Sequence, residues 1–407
     1  MPVLRNIGTL VTCAASGGQG DVHPISRGAL VWTGPVIRWV GPERELPREW
    51  GDQETWDAGG RLVIPGLVDC HTHLAFGGWR AEEFEQRIRG KSYLDIARAG
   101  GGIARTVGLT RAMSEDALVD RAAAFARSML ALGVTTIEAK SGYGLSLESE
   151  LMLLGVYRRL SQQIPQRIAP TFLGAHTVPE EFKSRRGAYL ELLVRELIPR
   201  VAREGLAHFC DAFVEEGAFS REEARTVLLA GLAHGLRPKL HADQLSDGGG
   251  AELAAELGAV SADHLECVSQ RGIQALGSAG VVAVSLPLAT LYLQHAPMPA
   301  RHLIEAGVPL AVATDFNPGS APSWHLPLAM LLACTLQRMT PAEVLKGATH
   351  YAARALALEQ RVGSLEDGKA ADFAVIDAES VDQWLYYFRP NACVMTVVSG
   401  EAAWKSG

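Results

Sequence analysis

Five polar side chains at the ends of short apolar runs are the residues best placed to do chemistry. His71 and His73 close the segment Val68-Asp-Cys-His-Thr-His73, one residue apart. Alternate residues of an extended chain share a face, so both imidazoles can converge on one ion while Cys70 points away. His241 closes the run Arg-Pro-Lys-Leu-His241, His264 closes Val-Ser-Ala-Asp-His264, and Asp315 closes Leu-Ala-Val-Ala-Thr-Asp315. A hydrophobic core has no packing reason to end run after run on a metal-competent group. His71, His73, His241 and Asp315 make three imidazoles and one carboxylate, a set suited to Zn²⁺ or Fe²⁺ with coordination positions left for water. His23, His208, His234, His295, His302, His325 and His350 lack this placement and read as solvated or locally hydrogen-bonded. Glu215 and Glu216 read as part of a solvated loop.

Strands must hold such ends in place. From about residue 61 to 358, short β-branched runs alternate with longer helical patterns. The spacing predicts strands at 61–69, 134–140, 167–174, 207–213, 237–241, 259–264, 281–286 and 309–315. Helices are predicted at 114–132, 147–160, 187–203, 221–234, 251–257, 269–278 and 300–306. Ser114 caps the first of these, and Ser220-Arg-Glu-Glu223 is a capping box for the fourth. Eight strands alternating with helices imply a parallel sheet, and roughly 300 residues of it suit a closed (β/α)8 TIM-like barrel. In that fold the strand-end residues would sit at the C-terminal rim, where barrel enzymes keep their active sites. No G-x-G-x-x-G stands on the first strand–helix turn to support an open dinucleotide-binding sheet. Residues 1–60 and 363–407 read as short strands and turns, neither segment long enough to close a core alone. Together they are expected to form a small β-sandwich domain flanking a catalytic barrel of residues 61–362.

The composition narrows the class further. With 407 residues, 48% hydrophobic and 20% charged, the chain is not globally disordered. A net charge of −7, from 38 basic and 45 acidic residues, argues against a nucleic-acid partner. The longest uncharged stretch, near 278–300, carries Pro287, Gln294, His295 and Pro297. It reads as a buried strand followed by a loop, not a membrane span. The six cysteines are scattered without a C-x-x-C pair, as in a protein with reduced thiols, and the N-terminus lacks the order of a signal peptide. The expectation is a soluble cytoplasmic homodimer with a small-molecule partner and no membrane association.

The H-x-H after the first strand, single histidines after two middle strands and an aspartate after the last resemble the amidohydrolase superfamily. Within it, longer segments resemble the imidazolonepropionase family of histidine degradation. These are residues 71–84 (HTHLAFGGWRAEEF), Glu138-Ala-Lys-Ser-Gly-Tyr-Gly-Leu145, Phe172-Leu-Gly-Ala-His176, His241-Ala-Asp-Gln244, Ser261-Ala-Asp-His-Leu-Glu266 and residues 314–320 (TDFNPGS), with 363–372 resembling the superfamily's returning β-segment. The resemblance implies one metal ion held by His71, His73, His241 and Asp315. It implies substrate contacts from Arg80, Tyr143, His176, Gln244, Asn317, Gly319 and Ser320, with His264 beside the attacking water. The implied substrate is 4-imidazolone-5-propanoate, a five-membered cyclic amide carrying a propionate, opened to N-formimidoyl-L-glutamate. Asp315 can act as general base and then acid, His264 can stabilise the oxyanion, and Arg80 offers a carboxylate a bidentate fork. Some family members carry Glu where this chain has Gln244; an amide orients but does not take a proton. Tyr93 is a further candidate for the propionate. Lys140 ends the wrong strand for the carboxylated-lysine bridge of two-metal relatives, so a single ion is expected. A heterocyclic-base aminohydrolase would share the metal set but need no carboxylate clamp. A non-catalytic binding protein on the same barrel would need neither.

Overall fold

The computed structural model describes residues 2–51, 53–91, 95, 96 and 99–406. The chain begins with β1 (Val3–Val11), β2 (Pro24–Thr33), β3 (Val36–Pro42), β4 (Thr55–Asp57) and β5 (Leu62–Pro65). It then runs through β6 (Leu67–Asp69), β7 (Val134–Lys140), β8 (Arg167–Ala175), β9 (Phe209–Val214) and β10 (Arg237–Ala242). β11 (Ser261–His264), β12 (Val282–Ser285) and β13 (Leu310–Val312) follow, and β14 (Phe373–Ile376), β15 (Cys393–Val398) and β16 (Glu401–Lys405) close the chain.

Strands β6 to β13 are neighbours in sequence order and pair in parallel. The ring closes beyond β6 and β13: Thr72 bridges Phe316, the His73 amide donates to the Phe316 carbonyl at 2.8 Å, and the Asp315 amide donates to the His71 carbonyl at 3.0 Å. The expected (β/α)8 barrel is therefore present, and it closes through the segments that carry three of the predicted ligands. A strand buried on both faces reads as a continuous apolar run, and β7 is buried at every position. Its alternation still decides the site. Ile137 and Ala139 belong to the apolar cluster, whereas Glu138 and Lys140 share the opposite face with the inward residues of neighbouring strands. Helices pack outside, several with the expected caps. Ser114 accepts from the Ala117 amide, and Ser220 with Glu223 forms a complete capping box.

The strands from the two ends form a mixed sheet in the order β16-β15-β14-β5-β1-β2-β3, with β4 beside β1. Its own apolar cluster includes Leu4, Leu30, Trp32, Val63 and Phe373. Separation in sequence is bridged by β5, which pairs with β1 on one side and β14 on the other.

Three elements differ from their sequence readings. Residues 61–69 are two strands, β5 and β6, in different sheets. At the break, the Gly66 amide donates to the Asp372 carbonyl, and a Cβ there would lie 2.3 Å from Thr135 Oγ1. The stretch after β12 is not a loop but a helix, Pro287–Leu293, with proline at its first turn, where the missing N–H costs nothing. Asp315 does not end a strand: β13 stops at Val312, and Asp315 lies three residues on, at φ +54°. Among the described residues, no helix is long and apolar enough to cross a membrane.

Candidate active site

His71 is fully buried, and its Nδ1 donates to Asp263 Oδ2 at 2.6 Å. His241 Nδ1 donates to Asp211 Oδ1 at 3.2 Å. A carboxylate on one ring nitrogen fixes the tautomer and leaves the other nitrogen as a lone-pair donor. Both of those other atoms, His71 Nε2 and His241 Nε2, are buried with no hydrogen-bond partner among the described residues. Asp315 Oδ1 lies 3.3 Å from His71 Nε2 and 3.5 Å from His73 Nε2. Ligand atoms of His71, His73 and Asp315 all lie within 4.8 Å of one another, as do those of His71, His241 and His264. Buried lone pairs without partners, backed by carboxylates, are the donor set of a metal site, and His71 belongs to both groups. The chemistry of the four residues expected to hold an ion suits one.

The charges beneath this cluster form a second layer. Lys140 Nζ donates to Asp211 at 2.8 Å, Glu138 at 3.0 Å and Asp263 at 3.4 Å, and Lys239 Nζ lies 3.1 Å from Glu138. All five side chains are fully buried. Burial opposes the charge on Lys140, but Asp211, Glu138 and Asp263 outweigh it and raise its pKa. Burial likewise disfavours ionised Asp263, yet Lys239, Lys140 and His71 hold it well below the usual carboxylate range. Burial and Lys140 both work against a charged His71; its hydrogen bond to Asp263 and the nearby Asp315 carboxylate prevail and lift it to about 9. His73 is pushed by burial down to about 4. Lys140 thus ties together the two carboxylates that orient His71 and His241 and is not free to bridge a second ion.

A cavity opens above the cluster, lined by His73, Arg80, Tyr143, His176, His241, Gln244, His264, Asp315, Asn317 and Ser320. His71 lies beneath it. His73 stacks on His176 with ring centres 5.2 Å apart, and Tyr143 lies 5.3 Å from His176. Burial holds His176 well below its ordinary pKa, so the neutral ring donates from Nδ1 to the Gly142 carbonyl at 3.0 Å. Its Nε2 is then an acceptor. At the far wall Arg80 is buried, and its Nη1 has no hydrogen-bond partner among the described residues. Glu83 is only a distant partner for Arg80, at 3.8 Å, while Glu82 pairs with Arg105 at 2.8 Å.

Gly319 packs against the Arg80 guanidinium, where a Cβ would collide with it, and its carbonyl accepts from Arg87 Nη2 at 2.9 Å. Asn317 turns inward on its own loop. Its Nδ2 donates to the Asp315 carbonyl and Ser320 Oγ, and its Oδ1 accepts from the amides of Gly319 and Ser320. Tyr93 lies outside the described residues. Glu215 is not a solvated loop residue: it is buried and accepts from the amides of Leu245 and Ser246, beside Gln244.

Sequence reasoning missed Asp211, Asp263, Glu138 and Lys239 as site residues. Lys239 alone of these carried a local signal, since it lies two places before the strand-end His241 and shares its face. The same reasoning also passed over Glu266, whose side chain is buried behind His264 and lifted by burial to about 7 against the opposing hydrogen bond from Thr290.

Comparison with known proteins adds to this geometry. The amidohydrolase family pattern matches residues 62–403. The chain is 45% identical over 415 residues to the imidazolonepropionase of Geobacillus thermodenitrificans (strain NG80-2), covering 99% of this chain and 98% of the relative. It is 48% identical over 373 residues to that of Cupriavidus pinatubonensis, covering 91% and 88%. Among solved structures, the atrazine chlorohydrolase of Arthrobacter aurescens TC1 complexed with zinc superposes with a TM-score of 0.77 at 16% identity, covering 99% of this chain and 95% of the other. At that identity the likeness is one of fold.

Proposed function

The chain belongs to the amidohydrolase family and, within it, to the imidazolonepropionases, and from that premise we propose that it hydrolyses the cyclic amide of 4-imidazolone-5-propanoate to N-formimidoyl-L-glutamate. One observation carries the reading to the level of the site: a buried histidine–aspartate cluster and a buried guanidinium with an unpartnered nitrogen face the same cavity. A substrate with a hydrolysable carbonyl at one end and a carboxylate at the other would be held at both.

His71, His73, His241 and Asp315 would hold one Zn²⁺ or Fe²⁺ ion. When bound, such an ion supplies Lewis acidity and lowers the pKa of coordinated water. Arg80 grips the propionate, and Gly319, having no side chain, leaves its guanidinium room. Tyr143, His176 and Gln244 orient the ring, His176 by accepting at Nε2, while Asn317 folds the loop that presents Gly319 and Ser320. Asp315 takes a proton from the attacking water as the oxygen bonds to the carbonyl carbon. It returns that proton to the ring nitrogen as the C–N bond breaks. His264 stabilises the oxyanion formed between these steps.

Residues 61–362 would be the catalytic unit, with 1–60 and 363–407 as its flanking domain. We place the enzyme in the cytoplasm as a homodimer; the exposed pair Tyr386 and Tyr387 supports a partner-facing surface. The test is ring opening of 4-imidazolone-5-propanoate, followed as loss of substrate and appearance of N-formimidoyl-L-glutamate, before and after a chelator and re-addition of Zn²⁺ or Fe²⁺. Activity that the chelator removes and metal restores is expected. Turnover of amino-substituted heterocyclic bases in place of the carboxylate-bearing lactam would overturn the reading.

A further inference from the structure

The turn after β11 contains two consecutive non-glycine residues in the left-handed region, His264 at φ +82° and Leu265 at φ +65°. Such backbone is costly and persists where its surroundings hold it. Here the Leu265 amide donates to the Ala242 carbonyl at 3.0 Å and the Cys267 amide to the Asp243 carbonyl at 2.8 Å, locking the turn to the end of β10. The turn brings the side chains of His264 and Glu266 together, with Nδ1 and Oε2 3.8 Å apart. Both atoms are buried, and neither has a hydrogen-bond partner among the described residues. The other Glu266 oxygen is fixed: Thr290, on the helix after β12, donates its hydroxyl to Oε1 at 2.8 Å. Two unpaired buried groups facing each other are each other's natural partners. A closure of about 1 Å converts the pair into a charge-assisted hydrogen bond.

Resting on the catalytic role given to His264 above, we propose that Glu266 is the positioning residue of His264, held in turn by Thr290. Held against Glu266 at Nδ1, the ring presents Nε2 to the cavity, 5.4 Å from the His241 ring and 5.6 Å from the His71 ring measured between centres. A carboxyl group behind the ring fixes its orientation, and with it the direction from which the ring meets the developing oxyanion. Glu266 touches neither substrate nor the predicted ligands, so its effect must pass through His264.

The experiment is a double-mutant cycle of Glu266→Gln and His264→Ala in the metal-loaded enzyme, with metal content measured in every variant. Glu266→Gln should lower kcat about 10- to 100-fold with KM and metal content unchanged. In the His264→Ala background the same change should alter kcat less than about twofold. Thr290→Val is the second probe, because it loosens Glu266 while conserving volume; it should lower kcat several-fold, and only when His264 is present. Full kcat in Glu266→Gln, or an equal loss with and without His264, would overturn the proposal. Should Glu266→Gln not fold, Thr290→Val decides by the same two criteria. A fully active His264→Ala variant would remove the role of His264 and this proposal with it, while leaving the ring-opening reaction standing. Absence of ring opening in the wild-type enzyme would instead mark failure of the functional reading.

Discussion

Replacing Gly319 with alanine places a carbon atom where the Arg80 guanidinium now lies. An ideal Cβ at this position would be 1.2 Å from Arg80 Nη2, 1.9 Å from Cζ and 2.2 Å from Nε. Non-bonded heavy atoms rest at roughly 3.5 Å, so the guanidinium must retreat by about 2 Å. Gly319 is not at positive φ, so the backbone accepts alanine and the conflict falls on Arg80. A hydrogen bond to a carboxylate does not survive a 2 Å shift of its donor. Losing one such charged bond costs ~1.5–3 kcal/mol, which is roughly 10- to 150-fold in affinity. If the clamp grips ground state and transition state alike, KM for 4-imidazolone-5-propanoate rises by that factor and kcat moves little. Overpacking also costs ~1–3 kcal/mol of stability, so kinetics should be read well below the measured Tm. Metal content should not change. The control is the same substitution in an Arg80→Ala background, where the clamp is already gone and the KM effect should vanish. An unchanged KM in Gly319→Ala, with a structure showing Arg80 displaced, would refute the assignment of Arg80 to the propionate.

Other perturbations probe the ligands, the charge layer and the pH response. His241→Ala should leave the fold intact by circular dichroism while elemental analysis shows the bound ion lost and activity gone with it. Lys140→Met takes the ammonium from Asp211 and leaves Glu138 and Asp263 to Lys239 alone, and should cost ~3–5 kcal/mol in denaturant unfolding; adding Asp211→Asn should recover part of the loss, and full stability in Lys140→Met would contradict the ion-pair description. Burial pushes His350 down to about 4, below its ordinary value near 6.5. Between those values the unfolded chain binds a proton that the folded chain refuses, so stability present above pH 6.5 is lost as the pH falls towards 4. Unfolding at pH 7 and pH 5 should therefore shift the balance towards a His350→Gln variant, by up to about 2 kcal/mol at the lower pH. A pH-independent difference would show that His350 does not titrate this way.

The barrel and the candidate ligands His71, His73 and His241 were legible through a period of two. Alternation in β7 and β10 put Glu138 with Lys140, and Lys239 with His241, on inward faces, and a one-residue shift would have turned each group outward. Strand boundaries were less legible where one residue type serves two purposes. Pro287 reads as a breaker in an apolar run, yet at a helix's first turn it is compatible with the helix. Gly66 reads as an ordinary strand residue, yet it marks the point where the chain leaves one sheet for the other. Asn317 carries an amide suited to a ligand, but its hydrogen-bonding capacity is spent on its own loop.

The level at which residues of different strands meet was not legible at all, because register between strands is a property of the closed barrel. Asp211 stands opposite Lys239, and Asp263 opposite His241, through pairings that no local pattern announces. That register assembles the charge layer. Around the histidines lie the carboxyls of Glu138, Asp211, Asp263 and Asp315, countered within the barrel by the ammonium groups of Lys140 and Lys239. Carboxyl groups so deeply buried require compensation, and the two lysines are outnumbered by them. The carboxyl groups in excess lie against imidazole nitrogens that offer lone pairs. A divalent cation is the species that satisfies both at once, binding the nitrogens and balancing the charge. The same excess acts on His71, whose hydrogen bond to Asp263 and nearby Asp315 carboxylate raise that imidazole's pKa against burial and Lys140.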